Sequence, residues 1–95
     1  SLGWFASASD RERRMAQVYL QSDGREIGWD LIVAASQSVA DLAIYPMQDV
    51  LCLGSEARMN TPGTMEGNWR WRLAPGSLKP ETAKRLAALA AKHGR

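Results

Sequence analysis

The chain has 95 residues, of which 45% are hydrophobic and 23% are charged, a balance typical of one small globular unit. Twelve basic and ten acidic side chains leave a net charge of +2, which is too small to indicate a nucleic-acid partner. The single cysteine and single histidine exclude an internal disulfide and a Cys/His zinc site, and no apolar run is long enough to span a membrane.

Two helices are predicted in the first half of the chain. Ser9 and Glu12 have the spacing of a capping box, and apolar residues follow at helical intervals, which predicts a helix over 9–21. Gly28 then leads into a second helix, predicted over 29–39. This second helix is apolar on two sides, so we expect more than one neighbour to cover it.

The short apolar run Leu42–Tyr45 ends at Pro46 and predicts a buried strand over 42–45, because continuous apolar runs of this length are typical of parallel sheets. The strand should stop at Pro46, which cannot donate to a ladder of hydrogen bonds. One strand cannot form a sheet alone, and its unpaired backbone attracts partners. We therefore expect self-association through Leu42–Tyr45, or cover from the remainder of a larger fold.

The second half of the chain is predicted to hold a long loop and one helix. Residues 54–68 contain three glycines, one proline and two asparagines without any period, which predicts a functional or disordered loop. Residues 68–73 alternate in polarity, which favours a second short strand or an extended arm. Pro80, Glu81 and Gly94 then mark a helix over 80–93. The order of these elements is typical of a piece of a larger α/β fold, such as the end of a (β/α)8 barrel.

Few residues of the chain have the pattern of a catalytic site. Asp49 and Glu56 follow the predicted strand and are the only pair that spacing offers for glycoside chemistry, which needs two carboxyl groups, although such residues are more often turn and cap residues. His93 lies at a helix end, where it complements the dipole. Cys52 lies in an apolar run, which favours a small buried hydrophobic residue over a reactive thiol.

The segment from Ala43 to Leu73 resembles a known family. Its runs LGSEARMNTPG and GNWRWRL resemble the signature near the C-terminus of the amylomaltases, the disproportionating enzymes of glycoside hydrolase family 77. The opening Ser1–Trp4 resembles the stretch that follows the family's His-Asp-x-Asp motif. The resemblance covers nearly the whole chain and is weakest in the last helix, with small departures at Cys52 and Met65.

The resemblance implies the α/β class, with residues 1–95 as a single, mostly helical fragment at the C-terminal end of a (β/α)8 barrel. It implies a cytoplasmic 4-alpha-glucanotransferase that moves α-1,4-glucan segments between maltooligosaccharides by a retaining double displacement, without cofactor or metal. All three catalytic acids of the family would lie upstream of Ser1. That removes Asp49 and Glu56 as catalytic candidates and leaves the isolated chain inactive.

Substrate contact is the role that the resemblance carries over to this chain. It implies that Arg58, Asn60 and Pro62, in the loop 54–68, border the glucan-binding cleft. The expected partners are α-1,4-glucans and the remainder of the barrel, with no nucleic acid and no membrane. Two alternatives remain: a stand-alone carbohydrate-binding module without catalysis, and a nucleic-acid binder that uses the aromatic and basic residues 69–72.

Overall fold

The computed structural model describes all of residues 1–95 and is mostly helical. Five α-helices and one 3₁₀ turn follow each other along the chain: α1 Leu2–Ser7, α2 Asp10–Leu20, α3 Ile27–Ser36, α4 Met47–Val50, the 3₁₀ turn Ser55–Ala57, and α5 Pro80–Lys92. None of the helices has the length and hydropathy that crossing a membrane requires.

The helix α2 begins at the predicted capping box. The Ser9 hydroxyl accepts a hydrogen bond from the Glu12 backbone N–H at 3.2 Å, and the Glu12 carboxylate accepts one from the Ser9 N–H at 2.9 Å. These bonds satisfy two N–H groups that a helix start leaves unpaired. The bonds from the backbone and then the hydroxyl of Ser9 hold the pKa of Glu12 below its usual value.

The helix α3 begins and ends earlier than the predicted range of 29–39. It begins at Ile27, so that Gly28 is part of the helix. Because glycine has no side chain, the backbone of Asp49 can approach there: a Cβ atom at Gly28 would lie 3.2 Å from the Asp49 carbonyl oxygen. It ends earlier because the Arg95 guanidinium takes the carbonyl oxygens of Ser36 and Ser38, at 2.8 Å and 3.3 Å. A basic side chain thus replaces the hydrogen bonds of a further helical turn.

The core is small and joins α3, α4 and α5. Its centre is formed by Ile32, Val50 and Leu89, with five partly buried side chains packed around them: Trp29, Val33, Tyr45, Met47 and Leu86. Only eight of the 95 residues are buried, so the chain has little apolar burial to offset the entropy of folding.

Outside this core, Arg85 connects the start of α3 to α5. Its guanidinium carbon lies 3.8 Å from the centre of the Trp29 ring, and it forms an ion pair with Glu26 at 2.8 Å. A cation over an aromatic face is attracted by the negative face of the ring. The pair is half exposed, so we assign it to orienting α5 rather than to a large share of stability.

The prediction of a strand over 42–45 is wrong: this segment is an irregular connection between α3 and α4. Leu42 and Ile44 are 74% and 81% exposed, while Tyr45 packs on the core and its hydroxyl bonds that of Ser36. The physical reason is that a ladder requires a neighbouring strand, and residues 1–95 contain none.

A second strand over 68–73 is also absent, and the segment is irregular rather than the extended arm that was the other prediction. Trp69 adopts a left-handed backbone with φ of 62°, which interrupts the extended geometry that alternation of side chains requires. Its ring is 72% exposed. Residues 1–95 are therefore helical and irregular, and the strands expected of the α/β class are absent from them.

Candidate functional site

A pocket of about 270 Å³ opens between the start of the chain and the segment after α4. Its lining comes from three segments, residues 1–4, 46–49 and 53–60. The first carries Ser1 and Trp4, and the last carries Arg58 and Asn60. The walls combine hydroxyl, amide, carboxylate and guanidinium groups with one indole ring and several apolar side chains.

The two walls of the pocket meet where α1 crosses the 3₁₀ turn. A Cβ atom at Gly3 would lie 2.2 Å from the Ser55 hydroxyl oxygen and 2.9 Å from the Ser55 backbone nitrogen. The hydroxyl could rotate away, but the backbone nitrogen could not. Glycine at this position therefore permits the close approach of the two backbones that forms the base of the pocket.

Asp49 lies at the base of the pocket and is only 7% exposed. One carboxylate oxygen accepts from the amino group of Ser1 at 2.9 Å, and the other accepts from the Ser1 hydroxyl at 2.8 Å. Ser1 precedes α1 as its N-cap, yet its side chain makes no capping hydrogen bond. Both polar groups of Ser1 are thus directed at Asp49.

Two of the three predicted substrate-binding residues line this pocket, and the third does not. Arg58 donates from Nε to the backbone oxygen of Asn60 at 2.9 Å, which fixes the turn between them. The side-chain amide of Asn60 takes part in none of the hydrogen bonds within the chain, so it is available to a ligand. Pro62 is exposed and lies outside the pocket lining.

The loop that carries Asn60 is closed by Asn68, a role that sequence reasoning missed. The Asn68 side-chain oxygen accepts from the Thr61 N–H at 2.8 Å, and its amide nitrogen donates to the Thr64 carbonyl at 3.1 Å. The Trp69 N–H bonds the Met59 carbonyl at the neck of the loop. A second asparagine within a glycine-rich loop is the available signal, because asparagine side chains bond nearby backbone groups.

Glu56 has the role of a turn residue. Its carboxylate accepts from the Gly54 N–H at 3.0 Å, two residues back along the chain, and its side chain belongs to the exposed surface. This is the local bond that acidic residues form at turns and helix starts. Neither Glu56 nor Asp49 has a carboxylate free of hydrogen bonds within the chain.

The interpretation of Cys52 as a buried residue is wrong, because the structure exposes it. Cys52 follows the end of α4 with a left-handed φ of 56°, a conformation common just after a helix end. The partial desolvation of the sulfur, followed by the negative charge of Glu26, raises the pKa of the thiol. The residue is therefore accessible without being activated.

Comparison with known proteins settles the family. Residues 1–79 match the family described as 4-alpha-glucanotransferase. The chain belongs to this family. It is 49% identical over 96 aligned residues to the 4-alpha-glucanotransferase of Thermus thermophilus, with 95% of this chain and 19% of that protein covered. To the Synechocystis enzyme of the same name it is 44% identical, with 100% of this chain and 19% of that protein covered.

A solved amylomaltase has the same fold over this region. The amylomaltase from Streptococcus agalactiae in complex with acarbose superposes with a TM-score of 0.87 at 28% identity, covering 98% of this chain and 19% of that one. The chain thus spans about a fifth of the length of these relatives. The family resemblance read from the runs LGSEARMNTPG and GNWRWRL is confirmed.

Proposed function

We propose that residues 1–95 form part of a 4-alpha-glucanotransferase that transfers α-1,4-glucan segments between maltooligosaccharides. The observation that carries this proposal is the pocket in which Asn60 presents an amide without an internal partner, in a chain of this family. Sugar hydroxyls both donate and accept hydrogen bonds, and a side-chain amide offers both kinds of group.

Within this proposal, the loop 54–68 supplies substrate contacts. Asn60 would bond sugar hydroxyls, and Arg58 would add a charged donor while holding the Asn60 backbone through its bond at 2.9 Å. Pro62 would act indirectly, because a Thr-Pro-Gly sequence restricts the turn that follows Asn60. Its place outside the pocket lining favours this indirect role.

The proposed mechanism is a retaining double displacement, in which one carboxylate holds the glycosyl unit and another carboxyl group serves as acid and base. We propose that these acids lie upstream of Ser1 in a longer protein. Both carboxylate oxygens of Asp49 accept from Ser1, which supports this assignment because a nucleophile needs a free oxygen. Glu56 bonds Gly54 locally, as a turn residue does. The reaction as proposed uses no cofactor.

We further propose that residues 1–95 lie at the C-terminal end of a (β/α)8 barrel in a cytoplasmic enzyme. The exposure of Leu42 and Ile44 supports this placement, because apolar side chains that are this exposed are expected where a segment packs against further structure. The relatives, of which this chain covers 19%, are long enough to supply that structure.

The test is to incubate the full-length protein that carries residues 1–95 with maltotriose and to follow glucose and longer maltooligosaccharides. The proposal predicts both products, together with retention of the α-configuration by NMR. Binding of maltooligosaccharides without any product would instead identify a carbohydrate-binding module. The absence of both binding and product would refute both functions.

A further inference from the structure

Asp49 is the only acidic residue that the structure buries, and its partners lie far away in sequence. Both of its carboxylate oxygens accept from Ser1, across 48 residues of chain. A buried carboxylate is costly unless its oxygens are hydrogen-bonded. The bidentate contact with Ser1 therefore fixes two parts of the chain relative to each other, rather than closing a local turn.

Ser1 leads directly into α1, whose other attachments are contacts with α3 and the 3₁₀ turn and a bond from Arg13 to the Ala6 carbonyl. The helix has six residues, none of them buried, and a helix of that length is unstable on its own. Its remaining close attachment to the site is the crossing of Gly3 over Ser55. The Asp49 contact is thus the anchor for the end of α1 that carries Ser1.

Asp49 is itself held rigidly by the core. Its neighbour Val50 belongs to the buried cluster. On the other side, the Asp49 carbonyl oxygen lies 3.2 Å from the position that a Cβ atom would occupy at Gly28 of α3. A continuous series of contacts therefore runs from the core through Asp49 to Ser1. At its end lies the pocket wall opposite Asn60, which includes Trp4.

We propose that Asp49 is a positioning residue: it holds Ser1 and α1 so that the wall formed by residues 1–4 keeps its distance from Asn60. The inference rests on the proposed function, because it assigns Asp49 to the same glucan pocket. In a longer chain the amino group of Ser1 becomes a peptide N–H with a single hydrogen to donate, so the bond from the Ser1 hydroxyl is the contact on which the inference depends. Asp49 touches no substrate in this role and is not catalytic.

The experiment is a double-mutant cycle in the full-length protein, using Ser1→Ala and Asp49→Ala, with maltotriose as substrate. The matched control is Asp41→Asn, which changes an exposed aspartate outside the pocket. We expect Asp49→Ala to lower kcat/KM on the order of tenfold, since hydrogen bonds to a charged group are strong and small misplacements are costly in catalysis. Asp49→Asn keeps the shape and one acceptor, so it should lose less.

The readout that separates positioning from general stability is the coupling between the two sites. If Asp49 acts through Ser1, the kcat/KM of the double variant is no lower than that of Asp49→Ala alone. The comparison is made at temperatures well below all melting transitions. The loss should fall mainly on kcat, because the Asn60 wall still binds glucan. Amide hydrogen exchange of residues 2–7 should accelerate in both single variants and stay unchanged in the control.

Additive effects in the cycle, or unchanged kcat/KM in Ser1→Ala and Asp49→Asn, would overturn the inference. If Asp49→Ala does not fold, the cycle is completed with Asp49→Asn, so the same criterion applies. An inactive wild-type protein would refute the proposed function and the positioning role with it. An active wild type whose kcat/KM ignores these changes would refute the role of Asp49 alone.

Discussion

Replacement of Asn60 by alanine in the full-length protein should lower kcat/KM for the glucan substrate without lowering the stability of the fold. The Asn60 amide makes no hydrogen bond within the chain and its side chain is exposed, so truncation removes no internal contact. What is lost is one neutral hydrogen bond to a sugar, worth about 1 kcal/mol. That corresponds to roughly a fivefold decrease in kcat/KM.

The matched variant is Asn68→Ala, which alters the same loop for a different reason. Asn68 bonds Thr61 and Thr64, so its truncation leaves the Thr61 N–H and the Thr64 carbonyl without their internal partners. We expect it to loosen the loop and to increase hydrogen exchange over residues 60–68, with a decrease in kcat/KM that follows from disorder.

Steady-state kinetics on maltotriose and a thermal melt of each variant form the assay. Asn60→Ala should change kinetics alone, whereas Asn68→Ala should change both loop protection and kinetics. Unchanged kcat/KM in Asn60→Ala with an unchanged melting temperature would refute the reasoning and leave Asn60 as a turn residue. A large drop in melting temperature would refute it equally, by making Asn60 structural. A loss of two or more decades would mean that the amide also acts in the transition state.

Three further predictions concern the chain itself. The lowered pKa of Glu12 means that its stabilising contribution is full above its unfolded pKa and is lost as pH falls through the lower folded pKa. Glu12→Gln should therefore shift the urea midpoint more at pH 7 than at about pH 3. An equal shift at both pH values would contradict this. The pKa of the Cys52 thiol is raised, so the folded chain should react more slowly with a disulfide reagent at about pH 8 than the urea-unfolded chain does, although Cys52 is exposed. Equal rates in the folded and unfolded chains would contradict this prediction. The isolated chain should associate through Leu42–Tyr45, where Leu42 and Ile44 are exposed, and Leu42→Lys should reduce that association in light scattering. A strictly monomeric, cooperatively melting wild type would disprove this.

Features with a local cause were predictable from the sequence. The start of α2 depends on Ser9 and Glu12, three residues apart, so a short window contains the whole explanation. The availability of Asn60 could be expected because it lies in a glycine-rich segment with a specific family resemblance. The terminal helix α5 likewise begins at Pro80, whose missing N–H a helix start tolerates.

Features that depend on distant residues were not predictable. The early start of α3 depends on the contact of Gly28 with Asp49, and its early end depends on Arg95, neither of which any local pattern signals. The strand over 42–45 has the right composition, but a strand also needs a partner, and residues 1–95 supply none. The contact between Ser1 and Asp49 joins positions 48 residues apart, so no local pattern could indicate it.

We propose that the pocket between residues 1–4 and 53–60 binds the glucan. The most direct measurement is a crystal structure of the full-length protein with acarbose, the ligand present in the Streptococcus agalactiae amylomaltase. We predict a sugar hydroxyl within about 3.2 Å of the Asn60 side-chain amide, with Asp49 still bonded to Ser1 beneath it. Acarbose bound away from this pocket, with Asn60 facing only solvent, would contradict the account.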